Sequence, residues 1–213
     1  MQTVTFALAK GRLAQKAMGI LEQLGITCEE MTKDTRKLLF TSDDGKYRFF
    51  LAKASDVPTY VDYGVADIGI VGKDTLIEEN RGAYEVLDLG FGKCKMAVAG
   101  EPSKKALLQS GKHLRVATKY PLIAKQYFEQ TQRSVEIIKL HGSVELGPIV
   151  GLSDVIVDIV ESGQTLKENG LVVLEDIVPL SARCIVNSAS LKLKHEMISV
   201  LIKQIEQCLE GEA

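Results

Sequence analysis

Short apolar runs rich in β-branched residues alternate with stretches of helical spacing along almost all of the 213-residue chain, and this alternation restricts the fold more than any other feature. Val4–Ala9, residues 68–71, 96–99, 114–117 and 135–140, and Val155–Val160 have the length and composition of buried strands. Helical spacing marks residues 13–24, closed by Gly25, and then 103–109, 121–129, 144–150 and 165–169. Strand and helix in regular succession predict an α/β fold with mainly parallel sheets. A hairpin of residues 37–41 and Tyr47–Ala52 is expected around the turn Ser42-Asp43-Asp44-Gly45. Ser55 or Asp56 is placed to cap a helix whose first turn holds Pro58. Residues 188–209 carry Leu191, Leu193, Met197, Val200, Leu201, Ile205 and Leu209 at helical spacing, which predicts one long amphipathic helix at the end.

Glycines break the pattern at Leu89-Gly90-Phe91-Gly92, between two α/β series, and a second crossing near residues 178–183 would return the chain to the first. The expected domains are therefore residues 1–91 plus 181–213, and residues 92–180. Two lobes joined by two crossings predict a cleft that opens and closes on a ligand.

With 26 basic against 28 acidic residues and a net charge of −2, no basic face is available for a nucleic acid. Cys28, Cys94, Cys184 and Cys208 show no CxxC spacing, which argues against a zinc site or a disulfide framework and for thiols kept reduced in the cytoplasm. No apolar run approaches the ~20 residues that span a bilayer, and no signal-peptide pattern opens the chain. A cytoplasmic protein with no membrane and no nucleic-acid partner is expected.

The most informative stretch runs from Asp154 to Leu166, Asp154-Val155-Ile156-Val157-Asp158-Ile159-Val160-Glu161-Ser162-Gly163-Gln164-Thr165-Leu166. An apolar strand with acids enters a small turn bearing hydroxyls. Gly163 leaves the backbone open to an anion, Ser162 and Thr165 supply hydroxyl donors, and the following amides point the same way. Asp154, Asp158 and Glu161 are expected at the carboxyl end of the strand, where carboxylates hold a divalent cation or the hydroxyls of a sugar. Phosphate donors beside carboxylates suit a sugar phosphate that carries a metal-bound pyrophosphate. A strand, a capping serine and surface acids would give the same pattern.

Other turns also follow strands. Ala9-Lys10-Gly11-Arg12 opens a helix with two cations where the helix dipole prefers anions, an arrangement that makes sense around a bound anion. Asp34-Thr35-Arg36-Lys37-Leu38 supplies a forked guanidinium. Lys53 ends a strand, and Ala66-Asp67-Ile68-Gly69-Ile70-Val71-Gly72-Lys73-Asp74 is a strand with glycines that ends at Lys73 and Asp74. His141-Gly142-Ser143-Val144-Glu145 offers Ser143 as a cap, Glu145 in a first helical turn, and a histidine able to act as a base. Ligands of open α/β sheets bind at such carboxyl ends. Neither a P-loop, a GxGxxG fingerprint nor a nucleophile elbow is present.

Leu8–Leu13, Asp34–Leu38, Asp56-Val57-Pro58-Thr59-Tyr60, Ala66–Asp74, His141–Glu145 and Asp154–Leu166 together, in this order, resemble the short form of the ATP phosphoribosyltransferase family across nearly the whole chain. The resemblance implies the two-lobed fold of type II periplasmic binding proteins. It implies transfer of the phosphoribosyl group of phosphoribosyl pyrophosphate to N1 of the ATP adenine, with Mg²⁺ as cofactor and pyrophosphate as product, at the first step of histidine biosynthesis. It also implies a homodimer of this chain and a regulatory subunit related to histidyl-tRNA synthetase in a hetero-octamer. On this reading Asp154, Asp158, Glu161, Ser162, Gly163, Gln164 and Thr165 bind phosphoribosyl pyrophosphate. Lys10, Gly11, Arg12, Arg36, Lys53 and Asp74 cover ATP and pyrophosphate. Arg12, Arg36, Lys53 and Asp158 are the catalytic set, and Asp154, Asp158 and Glu145 the metal ligands. A cytoplasmic anion sensor with no chemistry, and a type I phosphoribosyltransferase acting on a free base, are the competing readings; the first has no use for acids beside a phosphate loop. The second usually shows two adjacent acids before its loop, whereas Ile159 follows Asp158.

Overall fold

In the computed structural model, which describes residues 3–33 and 36–211, strand β1 (Val4–Ala9) is buried on both faces. Val4, Phe6 and Leu8 enter one apolar core and Ala7 and Ala9 another, as strand alternation requires of a sheet covered on both sides. After β1 come α1 (Arg12–Gln23), the hairpin β2 (Leu39–Thr41) and β3 (Tyr47–Ala52), α2 (Val57–Asp62), β4 (Ile68–Gly72), α3 (Lys73–Glu79) and β5 (Tyr84–Asp88). The chain continues through β6 (Cys94–Gly100), α4 (Lys105–Leu108), β7 (Leu114–Thr118), α5 (Pro121–Gln130), β8 (Val135–Lys139), α6 (Leu146–Ile149), β9 (Val155–Val160), α7 (Gln164–Glu168) and β10 (Val172–Leu180). It ends with β11 (Ala182–Val186), α8 (Ser188–Leu193) and α9 (His195–Gly211).

Two compact units result, Met1–Gly92 with Ser181–Ala213, and Lys93–Leu180. The first holds a six-stranded sheet of order β2-β3-β1-β4-β11-β5. In it β3, β1 and β4 run parallel, while β2, β11 and β5 are added antiparallel. One face is covered by α1 and α9, through Ala17, Leu21, Ile198, Leu201 and Ile205, and the other by Val57 and Val61 of α2. The second unit holds a five-stranded sheet of order β10-β6-β9-β7-β8, with β9, β7 and β8 parallel and β6 and β10 antiparallel. The α/β class expected from the alternation is the class observed.

Several local expectations are corrected. The terminal helix is two helices. Asn187 caps α8, its Oδ1 accepting from Ala189 N at 3.0 Å and Ser190 N at 2.9 Å, and α8 ends at Leu193, followed by Lys194, whose ammonium turns inward to Asp67 and Thr3 O. Asp56 stands before α2 but makes no side-chain cap, because residues 54–56 already form a 3-10 turn. Strands β5, β10 and β11 escape the apolar pattern. Glu175, Asp176 and Pro179 interrupt β10, which carries two register shifts against β6. Gly69 serves packing, since a Cβ there would stand 2.7 Å from Val61 Cγ2 and 2.9 Å from Ile185 Cγ1. No helix among the described residues is long and apolar enough to cross a membrane.

Candidate active site

In the first unit the parallel strands β3, β1 and β4 end along one sheet edge. Ala9 pairs with Ala52, and Lys10 N donates to Ala52 O at 2.9 Å, so Lys10 and Lys53 leave adjacent strands side by side. Leu8 pairs with Ile70, which brings Gly72 to the level of Lys10. β2 starts at Leu39 opposite Phe50, so Arg36 precedes β2 on the side where β3 ends. Asp34 and Thr35 lie outside the described residues. Gly11 holds φ at 111°, a backbone that favours glycine, and lets α1 start directly from the turn with Arg12 as its first residue and no acid in its first turn.

Lys10, Arg36 and Lys53 are exposed and have no carboxylate partner among the described residues. Their neighbours behave differently. Lys37 pairs with Glu30, and Lys73 with Glu85, which also accepts from Arg183. Asp74 heads α3 and folds back over Gly72, where a Cβ would fall 2.2 Å from its Oδ1, and Thr75 Oγ1 donates to it at 3.4 Å. Asp74 thus shapes the turn. Beneath Lys10 and Gly11 lies a cavity of about 520 Å³, walled by Met18, Cys28, Met31 and Leu51, within the size range of small-molecule pockets.

In the second unit the parallel strands β7, β8 and β9 likewise end on one edge. Glu161, Ser162, Gln164 and Thr165 are exposed in the turn after β9. Gly163 has φ 74°, and a Cβ there would meet nothing closer than Val160 Cγ1 at 3.8 Å, so its backbone conformation, not crowding, calls for glycine. Ser162 Oγ accepts from Gln164 N at 3.3 Å, and Gln164 Nε2 donates to Glu168 at 2.8 Å. Asp158 lies on β9 opposite Ala97, half-buried, two residues before the strand ends. Lys119, which the sequence reading passes over, follows β7 on this edge; an exposed cation immediately after a strand was the available signal.

Asp154 is a correction. It precedes β9, at the end opposite to residues 161–165, and its carboxylate accepts from Arg115 N at 3.0 Å and contacts Lys104 Nζ at 3.4 Å and Arg115 Nε at 3.5 Å. Glu145 is a second. The helix begins only at Leu146, Glu145 makes no cap bond, and Ser143 sits at φ 48° without capping anything. The metal set Asp154, Asp158 and Glu145 therefore does not assemble, and no group of three or more His, Cys, Asp or Glu among the described residues is arranged to hold a metal ion.

The electrostatics of Asp154 give a pH test. Burial raises its pKa, but the Arg115 amide and guanidinium and the Lys104 ammonium outweigh burial and hold the carboxyl below the ordinary aspartate value. A carboxyl depressed on folding stabilises above its unfolded pKa and loses that contribution as pH falls through the folded value. Asp154→Asn is expected to lower stability at pH 7 by about 1–3 kcal/mol and to flatten its loss on acidification, with turnover per folded molecule unchanged. Denaturant melts at pH 7 and 3 beside kcat check this.

Residues 53–207 match the family model HisG, described as ATP phosphoribosyltransferase. The chain belongs to the ATP phosphoribosyltransferase family. An ATP phosphoribosyltransferase of Lachnoclostridium phytofermentans is 64% identical over 211 residues, 98% of each chain. One from Lachnospira eligens is 60% identical over 212 residues, covering 99% of this chain and 98% of its own. Among solved structures, the ATP phosphoribosyl transferase (HisG:HisZ) complex from Thermotoga maritima matches with TM-score 0.84 and 34% identity over 98% of this chain and all of the other. The periplasmic aliphatic sulphonate-binding protein SsuA of Escherichia coli matches with TM-score 0.63 and 12% identity over 98% of this chain and 69% of its own, a likeness of fold alone. The family model takes in Lys53 and the 161–165 turn. The full-length relatives extend the ATP phosphoribosyltransferase match over the Lys10 and Arg36 turns.

Proposed function

We propose that the chain joins N1 of the ATP adenine to C1 of the ribose of phosphoribosyl pyrophosphate and releases pyrophosphate, the first step of histidine biosynthesis. The observation that carries this reading is 64% identity to an ATP phosphoribosyltransferase over 98% of both chains. The chemistry suits the two sheet edges. As the N1–C1 bond forms, the C1–O bond breaks, its electron pair leaves on pyrophosphate, and cation character develops on the ribose. N1 is a neutral lone pair near pH 7, so no base need activate it. Positioning and charge stabilisation are what remain for the protein to supply.

In this reading the turn Glu161-Ser162-Gly163-Gln164-Thr165 receives the 5-phosphate through its hydroxyls and amides, while Asp158 and the Glu161 carboxylate face ribose hydroxyls. Lys10, Gly11, Arg12, Arg36 and Lys53 face the ATP phosphates and the departing pyrophosphate. The cavity under Lys10 offers Ala14, Met18, Met31 and Leu51 to a purine ring, with Gln15 and Glu22 as polar members of its lining. Mg²⁺ belongs to the reading as a companion of these phosphates, whose negative charge it would offset. The solved T. maritima structure is a HisG:HisZ complex, which supports a HisZ-type regulatory partner for this chain. A hetero-octamer built on homodimers of this chain, in a cytoplasm that keeps its four unbridged cysteines reduced, completes the proposal.

Pyrophosphate release from ATP plus phosphoribosyl pyrophosphate tests it, run with Mg²⁺ and with chelator, with and without a HisZ-type subunit. Turnover that needs both substrates is expected, lost on chelation. Absence of turnover in every setting would sink the reading.

A further inference from the structure

Among the cations of the second unit, Lys119 is set apart by how firmly its backbone is held and how little its charge is used. It follows β7, whose neighbour in the sheet is β9, with Thr118 in register with Val157. Thr118 is fully buried, and its hydroxyl both donates to Val157 O at 2.7 Å and accepts from Tyr120 N at 2.8 Å. That one side chain fastens the backbone on either side of Lys119 to the strand that leads into the 161–165 turn. Tyr120, on the other side, is 7% exposed.

Lys119 itself is exposed. Its ammonium lies 5.7 Å from the centre of the Tyr120 ring and has no carboxylate partner among the described residues, although Asp158 and Glu161 belong to the neighbouring strand and its turn. Lys139, the last residue of β8 and in register with Thr118, is a second exposed cation on the same edge. With the backbone held at both flanking residues, Lys119 is presented from a fixed point, and only its side-chain rotamers remain to be ordered when it meets an anion.

We propose that Lys119 is a binding residue for a phosphate group of phosphoribosyl pyrophosphate, presented at the carboxyl end of β7 beside the turn that holds the sugar phosphate. The inference rests on the reaction proposed above and extends its binding set beyond the motif after β9. The shared chemistry is a phosphate oxygen, which belongs either to the 5-phosphate or to the pyrophosphate.

The test compares Lys119→Gln, which removes the charge but keeps a polar side chain, with Lys119→Arg, which keeps the charge. One charge-assisted hydrogen bond is worth about tenfold or more in affinity. Lys119→Gln is therefore expected to raise the KM for phosphoribosyl pyrophosphate at least about tenfold and leave that for ATP within about twofold, while Lys119→Arg stays near wild type. Direct titration with ribose 5-phosphate and, separately, with pyrophosphate identifies the group touched, since only that ligand binds more weakly to the glutamine variant. Unchanged KM and unchanged titrations in Lys119→Gln overturn the assignment, as does equal impairment of both variants. A wild-type chain without turnover overturns the reaction instead; the two titrations need no turnover and still decide Lys119.

Discussion

An Arg36→Ala chain is expected to turn over at least about 10²-fold more slowly than wild type while melting at the same temperature. The two halves of that expectation come from one observation. Arg36 is exposed and has no ion pair among the described residues, so the folded state draws nothing measurable from its charge. A guanidinium with no partner among the described residues, on the edge where Lys10 and Lys53 have none among them either, is instead available to a ligand. During the proposed transfer, negative charge accumulates on the departing pyrophosphate. A forked donor that meets this charge more strongly in the transition state than in the ground state lowers the barrier, and about 3 kcal/mol of such stabilisation corresponds to about 10²-fold in rate. Lys37, the next residue, is the internal control. Its ammonium is committed to Glu30, and Lys37→Met should leave kcat within about twofold. Rates and thermal melts of the two variants, measured side by side, separate a charge that serves the ligand from one that serves the surface. An Arg36→Ala enzyme with near-wild-type kcat/KM would remove this residue from the catalytic set.

The same contrast shows how far the sequence could be read. The parallel strands and their connecting helices are legible because a strand buried on both faces is a nearly continuous apolar run, and β1, β4, β7 and β9 come close to one, interrupted by Thr5, Arg115, Thr118 and Asp158. The added antiparallel strands are not. β5 and β10 carry acids along exposed or ion-paired faces, as with Glu85 toward Lys73 and Arg183, and Glu175 toward Arg133 at 2.6 Å, so their hydrophobicity falls below that of a core strand. The candidate site could be read only as a set of turns after strands; the register of β1 with β3 and β4 brings the Lys10, Lys53 and Gly72 turns to one edge.

Which acid serves which purpose was not legible. Asp154 and Asp158 are separated by a span of strand with a fixed direction, so when one reaches the carboxyl edge the other sits at the far end; sequence proximity hides this separation. Asp154 then finds Arg115 and Lys104, partners contributed by residues far from it in sequence. The Ala66–Asp74 segment is a further case. It reads as a site motif, yet Gly69 packs against Val61 and Ile185, Lys73 is paired with Glu85, and Asp67 is turned into the protein.

Replacing Asp67 by alanine should cost about 3 kcal/mol or more of stability, a larger loss than that expected of Asp154→Asn. Asp67 is 4% exposed, and its carboxylate accepts from Thr5 N at 2.8 Å, Ser190 Oγ at 2.6 Å and Lys194 Nζ at 2.7 Å. Its backbone is engaged as well, donating to Thr5 O and accepting from Asn187 N, both at 2.9 Å. One residue thus joins β1, the entry to β4 and the start of α8, and through Lys194, which also donates to Thr3 O at 2.7 Å, it sets the point where α8 gives way to α9. Alanine would leave a largely covered ammonium, a backbone N–H and a hydroxyl without their acceptor, and the cost of breaking such a set exceeds what the intact pair contributes. It follows that removing both charges should hurt less than the sum of the two single removals. Asp67→Ala and Lys194→Met, singly and together in a double-mutant cycle, should show a coupling of about 1–3 kcal/mol by denaturant unfolding. Because α9 supplies Ile198, Leu201 and Ile205 to the core beneath β1, the single variants should also expose amide hydrogens of α9 to exchange before those of β1. Additive effects, with α9 protected as in wild type, would mean that the cluster only occupies buried space and does not fasten the C-terminal helices.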